Sequence, residues 1–197
     1  IRVALIITKQ DFDPAAAEKY AEIYRRVGIP VFTLSAATGD GVGALEEDLC
    51  EQMRRGAVAA LTGASGVGKS TLLNRLFPEL SLSTGAISRK IERGRHTTRH
   101  VELFPVRDGG FLADTPGFSL LDFVHFDFFE LDDLFDSFRE FAPYLGKCRY
   151  SDCTHTGEGR SECAIARAVA EGLIPESRHE SYRTLYRILK EKTKYRS

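Results

Sequence analysis

The order of the motifs in this chain constrains its fold more than any single motif does. A phosphate-binding signature, Gly63-Ala64-Ser65-Gly66-Val67-Gly68-Lys69-Ser70, lies in the middle of the sequence. Asp114-Thr115-Pro116-Gly117 follows it, as a loop sensing magnesium and the terminal phosphate should. Two loops suited to reading a base, Thr8-Lys9-Gln10-Asp11 and Ser35-Ala36-Ala37-Thr38-Gly39, come before it. A nucleotide switch normally places them after it. The arrangement therefore predicts such a domain with its chain order cyclically rearranged.

Hydrophobic patterning supports that reading. Residues 2–7, 31–34, 57–61, 101–106 and 110–113 are short apolar, β-branched runs, as buried strands are. Between them, residues 14–27, 43–53 and 69–76 carry helical spacing. The expected inward stripe of the first helix is Tyr20, Ile23, Tyr24 and Val27, and that of the third is Leu72, Leu73 and Leu76. Alternation of this kind specifies a three-layer α/β domain; the phosphate loop and the rearranged base loops make the expected class a P-loop NTPase of TRAFAC GTPase type with a circular permutation. In the unpermuted order one more strand lies between the strand at 2–7 and that at 57–61. A hole there would cost both neighbours their ladder bonds, so residues upstream of Ile1 are expected to fill it.

The chemistry follows from residue types. Gly63, Gly66 and Gly68 let the backbone curl until successive N–H groups face a phosphate. The helix opening at Lys69 adds its positive end. Lys69 is expected to reach the β- and γ-phosphates, Ser70 to ligate Mg2+, and Ala64, Ser65, Val67 and Thr71 to complete the nucleotide contacts. Asp114 would hold Mg2+ through a water, and Gly117 would offer its N–H to the γ-phosphate. Thr98, with Thr97 as the alternative, would close over that phosphate as a further Mg2+ ligand. Asp11 can accept from N1–H and the exocyclic amine of guanine, whereas adenine has no matching donor pair. That argues against an ATPase. Lys9 would lie along the base. Thr8, standing where asparagine is usual, would tie the loop, and Ser35-Ala36-Ala37 would present the N–H of Ala36 or Ala37 to guanine O6. Phe118 occupies the position where many switches carry a water-orienting glutamine, so intrinsic hydrolysis is expected to be slow. His96 is a candidate either for catalysis or for a partner or RNA contact.

Net charge, at −1, is uninformative, but its distribution is not. Residues 89–99 hold Arg89, Lys90, Arg93, Arg95 and Arg99 against Glu92 alone, residues 122–140 are acidic, and the tail from 178 is basic again. On the helix expected over 180–192, Arg183, Arg187 and Lys190 share one face, opposite Tyr182, Leu185, Tyr186 and Leu189. After about residue 120 the β-branched runs stop. The domain boundary is placed there, with a GTPase domain over 1–120 and a small, mainly helical domain over 121–197. Its aromatic stripe over 123–144 is expected to be core, and a second helix is expected over 164–171. Cys148-x4-Cys153-x-His155-x7-Cys163 offers three thiols and an imidazole, the donor set of a structural Zn2+; free buried thiols are the alternative. Cys50 is expected in the core. No apolar run is long enough to span a membrane.

On these residues the chain resembles the ribosome small subunit-dependent GTPase family, also called RsgA or YjeQ/YloQ. Thr8–Asp11, Ser35–Gly39, the phosphate loop, Gly94-Arg95-His96-Thr97-Thr98-Arg99-His100, Asp114-Thr115-Pro116-Gly117-Phe118-Ser119 and the Cys/His cluster carry the likeness, which covers essentially the whole chain. The resemblance implies a GTP hydrolase acting late in maturation of the small (30S) ribosomal subunit, bound to that subunit and its 16S rRNA and stimulated by it. It implies GTP and GDP as ligands, and His96, beside Lys69 and Gly117, in hydrolysis. It also implies a monomeric, cytoplasmic protein with no membrane partner, and an upstream OB-fold RNA-binding part that this chain lacks. The competing expectation is a GTP-regulated rRNA-binding scaffold with negligible hydrolysis.

Overall fold

A computed structural model describes residues 1–78, 102–106, 109–114, 130–157 and 159–194, with 102, 114, 193 and 194 as backbone alone. The chain divides into two compact units, Ile1–Ser119 and Leu120–Ser197.

The first unit contains strands Leu5–Ile7 (β1), Val31–Thr33 (β2), Val58–Ala60 (β3), Glu102–Pro105 (β4) and Phe111–Asp114 (β5). Its helices are Pro14–Arg26 (α1), Val42–Arg54 (α2) and Lys69–Leu76 (α3). β1 and β2 run parallel, with Ile6 opposite Phe32. β3 runs parallel to β5, which takes β4 antiparallel on its other side, so Ala59, Leu112 and Phe104 lie in register. Among the described residues no ladder joins β1 to β3, and the sheet stands in two pieces where sequence reasoning places a central strand. β1 and β3 are shorter than the apolar runs that contain them, at three residues each, and among the described residues each pairs with one neighbour. They are also less covered than central parallel strands should be: β1 is half-buried throughout, and Val58 is 54% exposed.

One face of both sheet pieces is covered. Ile6, Phe32, Ala59, Leu112 and Phe104 meet a core of Leu34, Val42, Leu45, Met53, Leu72, Leu73, Leu76, Phe77 and Val106. α2 and α3 therefore share a core, and α3 packs through the three leucines that its spacing predicts. On the alternate face of β3, β5 and β4, Val58, Phe111 and Leu103 are exposed. α1 starts where Asp13 accepts from the Ala16 N–H at 2.9 Å and Pro14 opens the first turn. Its buried residues are Ala17 and Ala21, with Val27 just beyond its end, whereas Tyr20 is 57% exposed. At that position the helix departs from the expected stripe. Small side chains admit the helix close to its neighbours, and the tyrosine turns to solvent.

The second unit is built around Tyr182. It lies on the helix Glu176–Lys194 (α5), which follows the short helix Ala164–Ala170 (α4) and 3₁₀ turns at Leu131–Asp133 and Arg139–Tyr144. The core comprises Leu134, Phe138, Phe141, Cys163, Ile165, Ala168, Ile174, Tyr182, Tyr186 and Leu189. Phe138 meets Tyr182 edge-on at 5.3 Å, and Phe141 lies 5.0 Å from it. The described part of the aromatic stripe is thus core. Arg178 and Glu140 form a largely buried ion pair at 2.6 Å, with the guanidinium 4.7 Å above the Phe138 ring. α5 starts four residues before the expected start at 180, because Pro175, unable to sit inside a helix, supplies the carbonyl that accepts from Arg178 and His179.

Candidate functional site

Parallel pairing brings the predicted loops to the C-terminal ends of their strands, where α/β sheets bind ligands. β3 runs into the phosphate loop and β5 ends at Asp114, at the same edge. Gly66 and Gly68 hold left-handed φ values of 80° and 97°, which residues with a Cβ rarely adopt. Gly68 also precedes α3 as its N-cap and offers no side chain to the first turn, so the helix's positive end stays open to a ligand. Lys69 Nζ donates to the carbonyls of Gly63, at 2.7 Å, and Ala64, at 2.8 Å. Gly63, Ala64, Ser65, Gly66, Val67, Gly68, Lys69, Ser70 and Thr71 thus form one continuous loop and helix start.

The base loops are fastened to that loop and to each other. Thr8 Oγ1 donates to the Val67 carbonyl at 2.7 Å, and Lys9 Nζ to the Gly66 carbonyl at 3.0 Å. Threonine thus serves as the tie at the position where asparagine is usual. Lys9 itself is left-handed, at φ 59°. Gln10 donates its amide to Asp40 at 2.7 Å and its N–H to the Leu34 carbonyl, linking loop 8–11 to loop 35–40. The Asp11 carboxylate is exposed and accepts nothing from the described residues, which leaves both oxygens for a ligand. Ser35, buried, organises the second loop: its N–H bonds Asp40, its carbonyl accepts from Gly39, and its hydroxyl accepts from Thr38. Among the described residues the N–H groups of Ala36 and Ala37 have no acceptor. Sequence reasoning missed Gln10, Asp40 and Arg75, whose guanidinium binds the 36–38 carbonyls. Nothing in local sequence marks Arg75. His96, Thr97, Thr98, Gly117, Phe118 and the basic segment 89–100 lie outside the described residues.

The second unit assembles the four predicted metal ligands. The donor atoms of Cys148, Cys153, His155 and Cys163 all lie within 4.8 Å of one another. His155 Nδ1 stands 3.5, 3.3 and 3.4 Å from the sulfurs of Cys148, Cys153 and Cys163. A tetrahedral zinc with Zn–S of about 2.3 Å and Zn–N of about 2.0 Å requires S···N edges of about 3.5 Å, so the residues fit the ion. Backbone N–H groups point at two sulfurs: Ala164 at Cys148, 3.3 Å, and Ala166 at Cys163, 3.4 Å. Such bonds favour thiolate. Burial acts the other way and pushes the thiols of Cys153 and Cys163 up from their ordinary range, so a cation is needed to hold them ionised. His155 sits at φ 59°, and its carbonyl accepts from His179 Nε2 at 2.7 Å. Tyr182 donates its hydroxyl to the Thr154 carbonyl at 2.9 Å. These partners hold the ligand loop from outside the donor set. No further candidate ligand joins the cluster among the described residues, which suits a closed, structural site. Cys50 lies elsewhere, on α2, and is half-buried; it is not core as expected.

The predicted basic face of α5 is partly neutralised. Arg183 and Arg187 both lean on Glu180, at 3.1 and 3.8 Å, and Lys190 lies 5.8 Å from the Tyr186 ring centre. The opposite face packs as predicted, with Tyr182, Tyr186 and Leu189 buried. Among the described residues no helix is long and apolar enough to cross a membrane.

The profile of the RsgA GTPase family matches residues 1–124. A small ribosomal subunit biogenesis GTPase RsgA of Agathobacter rectalis is 37% identical over 196 residues, covering 99% of this chain and 62% of that protein. Its counterpart from Geobacillus kaustophilus is 45% identical over 174 residues, covering 88% of this chain and 56% of that protein. Of solved structures, YjeQ from Thermotoga maritima superposes with a TM-score of 0.70 at 31% identity, over 95% of this chain and 60% of that one. YloQ, described as a circularly permuted GTPase, gives 0.65 at 30% identity, over 96% of this chain and 57% of that one. The chain thus spans about six-tenths of the length of the proteins it matches.

Proposed function

This chain belongs to the RsgA GTPase family and has its α/β, circularly permuted GTPase fold; from that premise we propose that it binds GTP and hydrolyses it to GDP and phosphate, stimulated by the small ribosomal subunit during the subunit's maturation. One observation carries the reading. The phosphate loop and the base loop are locked together by the Thr8–Val67 and Lys9–Gly66 hydrogen bonds, so one ligand with a base at one end and phosphates at the other spans both.

In this proposal the N–H groups of 63–70 and the open end of α3 hold the phosphates, and Lys69 meets the β- and γ-phosphate oxygens. Asp11 accepts from guanine N1–H and the exocyclic amine, Lys9 lies along the base, and Ala36 or Ala37 donates to O6. Ser70 lies in the first turn of α3 and Asp114 ends β5 at the same sheet edge, a pair that suits Mg2+, with Thr98 as a third group. When bound, Mg2+ supplies charge neutralisation on the β- and γ-phosphates. Gly117 donates to the γ-phosphate and couples its presence to the following segment. With Phe118 in place of a glutamine, water is oriented by His96, and the intrinsic rate is low. The family's subunit partner points to 16S rRNA, met by the basic segment 89–100 and, on α5, by Lys190 more than by the arginines paired to Glu180. The site of action is the cytoplasm.

The test is multiple-turnover phosphate release by full-length protein, with and without small subunits. Marked stimulation is expected; equal rates would overturn it. Negligible release in both would favour the scaffold reading.

A further inference from the structure

Arg75 lies on the last turn of α3, far in sequence from the base loops. Its Nη1 donates to the carbonyls of Ala36, at 3.0 Å, and Ala37, at 3.4 Å, and its Nη2 to that of Thr38, also at 3.4 Å. Three successive carbonyls of one turn therefore converge on one guanidinium, a planar cation with several donors in fixed directions. The approach is close enough that a Cβ on Gly39 would sit 2.0 Å from Arg75 Nη2, and Gly39 holds φ +92°. The backbone favours glycine there, and any side chain at 39 would push the guanidinium off the turn.

The consequence lies on the other side of the peptide planes. Among the described residues no peptide bond is cis, and in a trans peptide the N–H points opposite to the C=O. Drawing the Ala36 carbonyl toward Arg75 turns the Ala37 N–H away from it. The Ser35 carbonyl, held by the Gly39 N–H at 2.8 Å, sets the Ala36 N–H in the same manner. These are the two N–H groups of the turn that have no acceptor among the described residues, while Thr38, Gly39 and Asp40 all donate within the turn. The turn is thus built to leave two donors facing outward, and its carbonyl side is anchored to the helix that begins at the phosphate loop.

We propose that Arg75 is a positioning residue for base recognition: it fixes the 36–38 turn so that a backbone N–H meets the O6 of a guanine-type base, and it ties that contact to the phosphate-binding helix. The inference rests on the guanine-nucleotide reading above and deepens it.

The test is competition binding of GDP, IDP and ADP to full-length protein carrying Arg75→Ala or Arg75→Lys, beside the unaltered protein, with thermal melting as a folding control. GDP and IDP both present O6, and ADP does not. Arg75→Ala is expected to weaken GDP and IDP together by about tenfold, as loss of a charge-assisted contact set would, and to leave ADP unchanged. Arg75→Lys should recover part of the loss, because one ammonium reaches fewer of the three carbonyls. An unchanged ratio of GDP to ADP affinity would overturn the proposal. So would an equal loss for all three nucleotides, which would assign Arg75 to the helix or the phosphates. Should the unaltered protein itself fail to prefer GDP over ADP, the guanine reading falls, and the role of Arg75 with it.

Discussion

The two units place their functional groups in opposite environments. In the first, the hydrophobic core runs through Leu34, Leu45, Leu72, Leu76 and Leu112, and the candidate site lies on loops beyond the strand ends. Asp11 is exposed, and among the described residues Lys69 donates only to backbone carbonyls. In the second, Cys163 and His155 are buried, and Cys163 belongs to the core with Phe138, Phe141 and Tyr182. Loops stiffened by backbone hydrogen bonds keep side chains available to a ligand that comes and goes. Donors inside a core can serve only an ion that stays, and that ion becomes part of the packing.

Removing the metal should break this comparison most strongly. A structural zinc in a small domain contributes about 10 kcal/mol or more. Chelation, or Cys153→Ser, should therefore unfold the second unit while GDP still binds the first; elemental analysis of untreated protein should find about one zinc per chain. Retention of an ordered second unit without metal, followed by circular dichroism or proteolysis, would contradict the structural role. Its pH dependence has a definite sign. Zinc must displace the thiol protons of Cys153 and Cys163, which burial holds on more tightly than water would. Zinc affinity should therefore rise as pH climbs toward the ordinary thiol range. A zinc affinity independent of pH below that range would show that the thiols are not the ligands.

Lys69→Ala should be next in size. Losing the ammonium that the phosphate loop itself carries should lower GTP turnover by roughly a hundredfold, with zinc content unchanged. A turnover loss accompanied by zinc loss would mean that the units do not act as separately as their cores suggest. Asp11→Asn should weaken GDP by about 1–3 kcal/mol and improve tolerance of xanthine nucleotides, a preference that competition binding reads directly. The smallest effect should come from Tyr182→Phe. It removes the hydroxyl bond to Thr154 but keeps the ring, so about 1 kcal/mol of stability should go from the second unit, seen in chemical denaturation, with GDP affinity intact.

The parts legible in sequence are those whose causes are local. The glycines of 63–68 declare a phosphate loop because the required backbone conformations are available to few other residues. Leu72, Leu73 and Leu76 declare the buried face of α3 because helical spacing alone aligns them. Tyr20 was misplaced for the converse reason: hydrophobicity favoured the tyrosine, while close packing favoured Ala17 and Ala21. Arg183 and Arg187 looked free for RNA, but Glu180 lies one turn and two turns before them on the same face.

By itself, then, the sequence determined the motif order, the permuted α/β class, the glycine loop and which four residues form the Cys/His cluster. Each follows from residue type and spacing along the chain. Tertiary structure alone decided that Arg75 grips the 36–38 turn, that Thr8 ties two loops together, and that Tyr182 braces the ligand loop from α5. Those contacts join segments far apart in the chain. Hydrogen bonds of a few ångströms exist only once packing has brought the segments together, and no periodicity announces them beforehand.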